Sequence, residues 1–387
     1  MAKSSETLAS EPSYSLRQAF DKKTMILIGF AVIALLFYLF LEKINIFNML
    51  NVILDANLVL LIIGAIFTFI AVLCDALAWK ILMGISSINP SLLSTYRVQL
   101  SSFSYGLLIP SAGAVEAVMR VALGTQEFVN ERDNRNATSG EILSSVVAHK
   151  LCGLLSFIPI SAFVSIAILQ YLSAIVERRS GVALSTEFAI LFVAIISLIS
   201  ILVLTLIALI AKSPIKANRF ISVFLQMLSR LPFIGNYAEK AIIPSQKIVE
   251  DFGVQFSYLA QNKLLSVMAL ILTFLSQVAH WGSILFILHA INIPIFLDQV
   301  AAVNFLGGTV DFIPVGIPGM AGLKEISLSV FLKEANFGIS STLATSGAIL
   351  VQLVKFYFLI IVGILVYILG KTRIKTHTFN TNETQEL

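Results

Sequence analysis

Long apolar runs separated by short polar connections dominate this 387-residue chain. A helix that crosses a hydrocarbon core of about 30 Å needs about 20 apolar residues, with about 17 as the lower end of the range. Six runs reach this length, and each predicts one membrane-spanning helix: 25–41, 58–83, 142–174, 188–211, 264–291 and 341–370. The pattern therefore predicts an all-α, polytopic membrane protein with six full spans.

Two further apolar stretches, 98–123 and 299–332, are interrupted by proline and glycine. Both carry a carboxylate three residues after a glycine, which is Glu116 in the first stretch and Glu325 in the second. Neither arm of either stretch is long enough to span, so each stretch predicts a re-entrant hairpin of two half-helices. The residues expected to break these helices are Pro110, Gly113, Pro318, Gly319 and Gly322.

The distribution of lysine and arginine predicts the orientation, because cytoplasmic loops carry an excess of both. Basic residues at 17–23 and at 371–375 place both termini in the cytoplasm, and the basic connection 212–263 is assigned there too. On this topology the two hairpins enter from opposite sides, and the chain forms an inverted repeat. The expected organisation is a cytoplasmic disordered tail, a first membrane half, the basic connection, a second half and a second tail: 1–24, 25–211, 212–263, 264–370 and 371–387.

Composition excludes a soluble protein, because only 12% of the residues are charged and 57% are apolar. No phosphate-binding loop, dinucleotide fingerprint, zinc spacing or nucleophile elbow occurs in the sequence. We therefore expect no cofactor, no metal and no enzymatic activity. Cys74 and Cys152 both lie in apolar runs and are interpreted as small buried side chains. Part of the basic connection, 215–231, either lies along an anionic membrane surface or packs on the helix bundle.

Ionisable side chains at membrane depth are costly and are candidates for function. Glu116 and Arg120 are four residues apart, so they share one face of the second arm of the first hairpin. They form an internal ion pair, or Arg120 binds a lipid phosphate while Glu116 tunes it, and the two roles are compatible. The half-helices that follow Pro110 and Pro318 also direct unpaired N–H groups towards the break, which suits an anion.

The later spans add further candidates. Lys355 lies midway along its run, too deep to reach water fully, and Glu325 or Asp311 is its expected partner. His149 and Lys150 lie early in the 142–174 run, where His149 is either a proton relay or a hydrogen-bonded packing residue. Buried polar pairing is the expected role of three weaker candidates: Asp75, His280 and Gln352.

The two broken stretches resemble those of a flippase-like family, the transmembrane region of lysylphosphatidylglycerol synthases. The residues that carry the resemblance are Pro110, Gly113, Glu116 and Arg120 in the first half and Pro318, Gly319, Gly322 and Glu325 in the second. The resemblance implies a fold that covers about 25–370 and an activity in lipid translocation. Since the chain ends at Leu387, the expectation is a stand-alone member without the synthase domain.

The leading hypothesis is a multi-pass carrier of the cell membrane that moves a phospholipid or a lipid-linked sugar or aminoacyl headgroup. Its expected partners are membrane lipids, either an anionic phospholipid or a polyprenyl-phosphate carrier, and no nucleic acid. Two alternatives stay open: a membrane-embedded transferase that acts on polyprenyl-phosphate-linked sugars, and an accessory subunit that anchors another enzyme.

Overall fold

Helices account for nearly all of the structure, which is a computed structural model of the full chain. It describes residues 22–85, 87–108, 114–180, 213–229, 261–308, 322–334 and 339–369, together with single helical residues at 191, 198 and 205. The helices are α1 Lys22–Leu41, α2 Ile46–Leu54, α3 Leu58–Ile85, α4 Leu92–Leu108, α5 Ala114–Glu127, α6 Ser139–Ser180, α7 Pro214–Leu228, α8 Lys263–His289, α9 Leu297–Gly308, α10 Leu323–Glu334 and α11 Ser341–Leu369. The all-α prediction is confirmed at this level.

Three helices in the described part of the chain are long and apolar enough to cross a membrane, namely α3, α8 and α11. A fourth span results if α1 and α2, which bend by 102° at their junction, are counted as one. The bend occurs at Lys43, whose φ of 52° is left-handed, and the sequence analysis did not predict α2. The predicted span 188–211 lies almost entirely outside the described residues, as do both tails and most of the basic connection.

The outer surface of α3 is apolar, as expected for a helix in lipid. Large side chains are exposed at steps of three or four residues: Leu58, Ile62, Ile66, Ile70 and Leu73. The opposite face buries small residues, among them Gly64, Thr68, Ala71 and Ala76. Small and hydroxyl-bearing residues allow close approach between helices in a membrane, where apolar burial alone drives little association.

Helices α3 and α8 pack against each other in antiparallel directions. Near the start of α3, a Cβ added to Gly64 would lie 2.7 Å from the side chain of Ile287, near the end of α8. The Thr68 and Ser283 hydroxyls are 2.7 Å apart, and farther along α3 Asp75 lies beside Ser276 of α8. Residue numbers thus rise along one helix while they fall along the other.

The shorter helices pack across the two halves of the chain. In α4, the Ser104 hydroxyl donates to the carbonyl of Leu359 in α11 at 3.0 Å, and the rings of Tyr105 and Tyr367 stand edge to face. In the other half, α9 packs against α6 in an apolar core that includes Ile160, Val164, Val300 and Ala301. Helix α4 therefore meets the last helix of the second half, and α9 meets the last described long helix of the first.

The predicted hairpins correspond to two pairs of short helices. Helices α4 and α5 pack together on either side of residues 109–113, and a Cβ added to Gly106 of α4 would lie 2.7 Å from the Cβ of Glu116. Helices α9 and α10 pack together on either side of 309–321. The breaks themselves, with Pro110, Gly113, Pro318 and Gly319, lie outside the described residues. Re-entry of these pairs into the membrane stays a prediction.

A short β-hairpin joins α5 to α6. Strands β1 Val129–Asn130 and β2 Arg135–Asn136 pair antiparallel, and Asn134 between them is left-handed, with φ 48°. Thr138 then caps α6, since its N–H donates to the Glu141 carboxylate at 2.8 Å while its hydroxyl accepts from the Glu141 N–H at 3.3 Å. This capping box fixes the start of α6, the helix that carries His149 and Lys150.

Candidate functional site

Within the described residues, the first of two buried charged clusters forms where α5 faces α3 and α6. Glu116 is the third residue of α5, and Arg120 follows one helical turn later. The Arg120 guanidinium binds the Glu116 carboxylate through Nη2, and its Nη1 lies 2.9 Å from Nδ1 of His149. Arg120 is 2% exposed, so its charge is enclosed by protein. This is the geometry of an internal ion pair, and phosphate binding by Arg120 stays a prediction.

An aromatic wall holds the Arg120 side chain in place. Its guanidinium carbon lies 5.3 Å from the ring centroid of Trp79, which is fully buried on α3. The indole N–H of Trp79 donates to the Ser145 hydroxyl of α6 at 2.9 Å. A guanidinium over an aromatic face is attracted by the ring quadrupole, more strongly where water is excluded. Trp79 therefore fixes the cation between three helices.

Lys150 is the accessible cation of this first cluster. Its ammonium donates to the second oxygen of the Glu116 carboxylate at 3.1 Å, while its side chain is 50% exposed. Glu116 thus bonds to two cations, one enclosed and one reachable. Lys150 therefore presents its positive charge outwards, where an anion would reach it.

Asp75 of α3 completes the first cluster. Its Oδ1 lies 3.8 Å from Nε2 of His149, which is longer than a hydrogen bond. Asp75 was a weaker candidate from the sequence, because nothing in the 58–83 run shows which helix faces it. Its position only becomes informative once α3, α6 and α8 are packed together.

The second cluster surrounds Glu325, which is the third residue of α10. Gly322 caps this helix with a φ of 85°, and its N–H donates to one Glu325 oxygen at 2.7 Å. The phenol of Tyr357 in α11 donates to the other oxygen, also at 2.7 Å. We expected Glu325 or Asp311 beside Lys355. Glu325 instead accepts from these neutral donors, and Asp311 lies outside the described residues.

Two buried lysines share one aromatic ring beside Glu325. The Lys324 ammonium lies 4.3 Å and the Lys355 ammonium 5.4 Å from the ring centroid of Phe356. Lys355 also donates to the side-chain oxygen of Asn304 in α9 at 3.3 Å. Lys355, Phe356 and Tyr357 belong to a π-helical segment of α11, Leu353–Tyr357. Such segments are frequent at functional sites, because the extra residue in the turn redirects side chains.

A cavity of about 120 Å³ lies between α6, α8 and α9. Its polar lining is contributed by Ser156, Gln277 and Asn304, together with the indole of Trp281. Gln277 directly follows Ser276, the neighbour of Asp75, and Asn304 bonds to Lys355.

The family model for the lysylphosphatidylglycerol synthase TM region matches residues 26–363. The chain belongs to this family. The resemblance noted in the sequence is thereby confirmed, and membership identifies a membrane protein related to lipid handling. No curated protein and no solved structure matches the chain. Both charged clusters of this lysylphosphatidylglycerol synthase TM-region protein lie inside the matched range.

Residues outside the two clusters were considered for other chemistry in the described part of this family member. Within it, no three His, Cys, Asp or Glu side chains are grouped closely enough to hold a metal ion. Cys74 and Cys152 are free thiols, half-buried and buried respectively. Gln352 is buried on α11 and His280 is partly buried on α8, and the polar pairing expected of them stays a prediction. The clusters of charged side chains are therefore the sites on which a functional interpretation rests.

Proposed function

We propose that this protein is a carrier, not an enzyme, that translocates a phospholipid or a lipid-linked headgroup across the cell membrane. The observation that carries the proposal is the pair of charged clusters, each built around the third residue of a short helix that follows a break. Ionisable groups at this depth are expensive to bury and mark substrate pathways in membrane proteins. The cavity between α6, α8 and α9 also supports the proposal, because Ser156, Gln277 and Asn304 place polar groups in its otherwise apolar lining.

The architecture that we propose is six spans and two re-entrant hairpins in an inverted repeat, with both termini in the cytoplasm. The antiparallel packing of α3 and α8 supports it, because each of these helices directly precedes one of the two proposed hairpins. The exchanged packing of α4 on α11 and α9 on α6 supports it too, since a two-fold relation would produce both contacts together. Inverted repeats that surround a site at mid-depth are typical of alternating-access carriers.

The substrate that we propose is a lipid with a phosphate in its headgroup, either an anionic phospholipid or a polyprenyl-phosphate carrier. Lys150 is the first cation that such a phosphate would reach, because half of its side chain is exposed. Lys355 and the start of α10 would receive it in the other half. In this scheme Glu116 and Glu325 hold the surrounding donors in position.

The proposal is tested with purified protein in vesicles that contain a fluorescent phospholipid in both leaflets. Dithionite quenches the outer-leaflet probe, and protein that moves lipid allows the inner pool to be quenched as well. We expect Lys150→Met and Lys355→Met each to slow the quenching of the inner-leaflet probe at least about tenfold. This is the effect of losing about 1.4 kcal/mol of headgroup binding. Lys263→Met, at the exposed start of α8, is the matched control. Equal rates for all three variants would exclude the site assignment.

A further inference from the structure

The protonation of His149 is fixed by its neighbour. A guanidinium only donates hydrogen bonds, so Nδ1 of His149 accepts from Arg120 across their 2.9 Å contact. The ring is therefore neutral, and its single N–H is at Nε2. This nitrogen is buried and finds no hydrogen-bond partner among the described residues. It is aimed at Asp75, whose Oδ1 is its nearest carboxylate oxygen in the described cluster, 3.8 Å away.

Asp75 lies in a mixed electrostatic field. The charged or titratable side chains that influence or face its carboxyl come from α3, α5 and α6: Cys74, Glu116, Arg120, His149 and Lys150. From α8 the neighbour is the neutral hydroxyl of Ser276. The Asp75 side chain is 22% exposed, so protons reach it, whereas His149 cannot take a second proton without losing its bond to Arg120.

The charges of the first cluster cancel when Asp75 is ionised. Two carboxylates, Asp75 and Glu116, then balance two cations, Arg120 and Lys150, around a neutral His149. A phosphodiester bound at Lys150 would add one negative charge. A net charge in a low-dielectric interior is strongly disfavoured unless it is compensated. One proton on Asp75 would compensate it and make the loaded site neutral again.

We propose that Asp75 is the binding site of a coupling proton, so that the protein moves one proton together with each singly anionic phospholipid. The proposal rests on the lipid-carrier function proposed above. In the empty site Asp75 is ionised and faces the N–H of His149, which is a positioning residue. On binding of the lipid phosphate, Asp75 takes up a proton. On release, the proton leaves with the lipid, and the cycle carries no net charge.

The experiment compares an anionic with a zwitterionic probe in vesicles that hold a pH gradient. Fluorescent phosphatidylglycerol has one negative charge, and fluorescent phosphatidylcholine has none. With one coupled proton, a gradient of one pH unit should distribute phosphatidylglycerol about tenfold in favour of the alkaline side. Phosphatidylcholine should stay evenly distributed. A membrane potential set with valinomycin should change neither distribution, and protein-free vesicles measure the spontaneous background.

Variants identify the residue that binds the proton. Asp75→Asn should lose the response to the gradient, so that phosphatidylglycerol stays near a ratio of about 1 at every gradient, at whatever rate the variant still moves it. Asp75→Glu keeps a titratable group and should keep the gradient response. Asp55→Asn, an exposed aspartate between α2 and α3, is the matched control and should behave as the unaltered protein does. The unaltered protein alone decides whether coupling exists, even if Asp75→Asn fails to fold.

The outcomes separate this inference from the function on which it rests. If neither probe crosses the membrane, the carrier function itself is wrong. If phosphatidylglycerol crosses but ignores the pH gradient, the carrier function stands and proton coupling is excluded. If coupling persists undiminished in Asp75→Asn, the proton binds elsewhere and the assignment to Asp75 is overturned.

Discussion

Glu116 and Glu325 occupy the same position in the two halves of the chain, and yet their partners differ in kind. Each is the third residue of a short helix, three residues after a glycine. Glu116 bonds to the cations Arg120 and Lys150, whereas Glu325 accepts from the phenol of Tyr357 and a backbone N–H. A shared backbone motif therefore fixes where a carboxylate lies, while its chemistry depends on the side chains around it.

Because their partners differ, we expect the two clusters to have different roles. In the first cluster, the Glu116 carboxylate bonds to both cations. Arg120 is enclosed and Lys150 is exposed, so Lys150 is the cation that an anion would reach first. In the second, the carboxylate caps α10 and fixes α11 through Tyr357, while the lysines lie over Phe356. The first cluster is arranged to balance charge, and the second is arranged to hold a helix start in place.

Removing each carboxylate separates the two roles most sharply. Glu116→Gln leaves Arg120 buried without its counter-ion, and breaking a buried pair from one side costs about 3–5 kcal/mol. Glu325→Gln keeps an oxygen that accepts from Tyr357 or Gly322, so its loss should be about 1 kcal/mol. Unfolding of detergent-solubilised protein, followed by tryptophan fluorescence, measures both. Similar losses for the two variants would contradict the distinction between a charged and a capping carboxylate.

The close approach of α4 to Glu116 offers a second comparison. Alanine at Gly106 would place its Cβ 2.7 Å from the Cβ of Glu116, and neither backbone can yield without moving a helix. Overpacking of this kind costs about 1–3 kcal/mol. Gly106→Ala should therefore lower the melting temperature and also slow lipid transfer by displacing Glu116 from Lys150.

Gly84→Ala in α3 is the control for this variant, because nothing lies within 4 Å of the added methyl group. It should leave the protein unchanged or slightly stabilise it, since alanine is the better helix former. If Gly106→Ala matched Gly84→Ala in both measurements, the two arms of the first helix pair would not be as tightly joined as the structure indicates.

Much of the helical framework could be predicted because the bilayer sets the length of an apolar run. The predicted runs 58–83, 264–291 and 341–370 correspond to α3 Leu58–Ile85, α8 Lys263–His289 and α11 Ser341–Leu369. Helix α2 was missed, since nine mostly apolar residues after a left-handed turn carry no length signal. Helical periodicity also did not predict the π-helical segment Leu353–Tyr357, from which Tyr357 donates to Glu325.

The candidate site was predictable in its members but not in its contacts. Ionisable residues in apolar sequence pointed to Glu116, Arg120 and Lys355, because burial of a charge is costly wherever it occurs. The bond between Arg120 and His149 joins residues 29 positions apart on different helices, and the approach of Asp75 depends on a third. Helical spacing identifies which residues share one face of a helix. Tertiary packing determines which residues of other helices contact that face.

An exposed ion cluster at the start of α6 gives the smallest expected effect and a reference for the buried ones. Arg135 bonds to Glu141 at 2.9 Å and 3.1 Å, and the side chains are 42% and 24% exposed. The Arg135 guanidinium, with help from Thr138, holds the pKa of Glu141 down at about 2. Because the folded-state pKa is depressed, the stabilisation is present above the ordinary glutamate pKa near 4.5 and is lost as the pH falls towards 2.

Glu141→Gln should therefore lower the melting temperature slightly at neutral pH and not at all near pH 2, where the unaltered carboxyl is becoming protonated as well. Solvent screens this exposed pair, so added salt should shrink the neutral-pH difference further. The loss in Glu116→Gln, measured in the same series, should stay large in high salt, because the Arg120 pair is shielded from ions by protein. The opposite result would be a stability loss that salt reduces in Glu116→Gln but not in Glu141→Gln. It would mean that the Glu116 cluster is the exposed one. The charge balance assigned to Asp75, Glu116, Arg120 and Lys150 would then no longer hold.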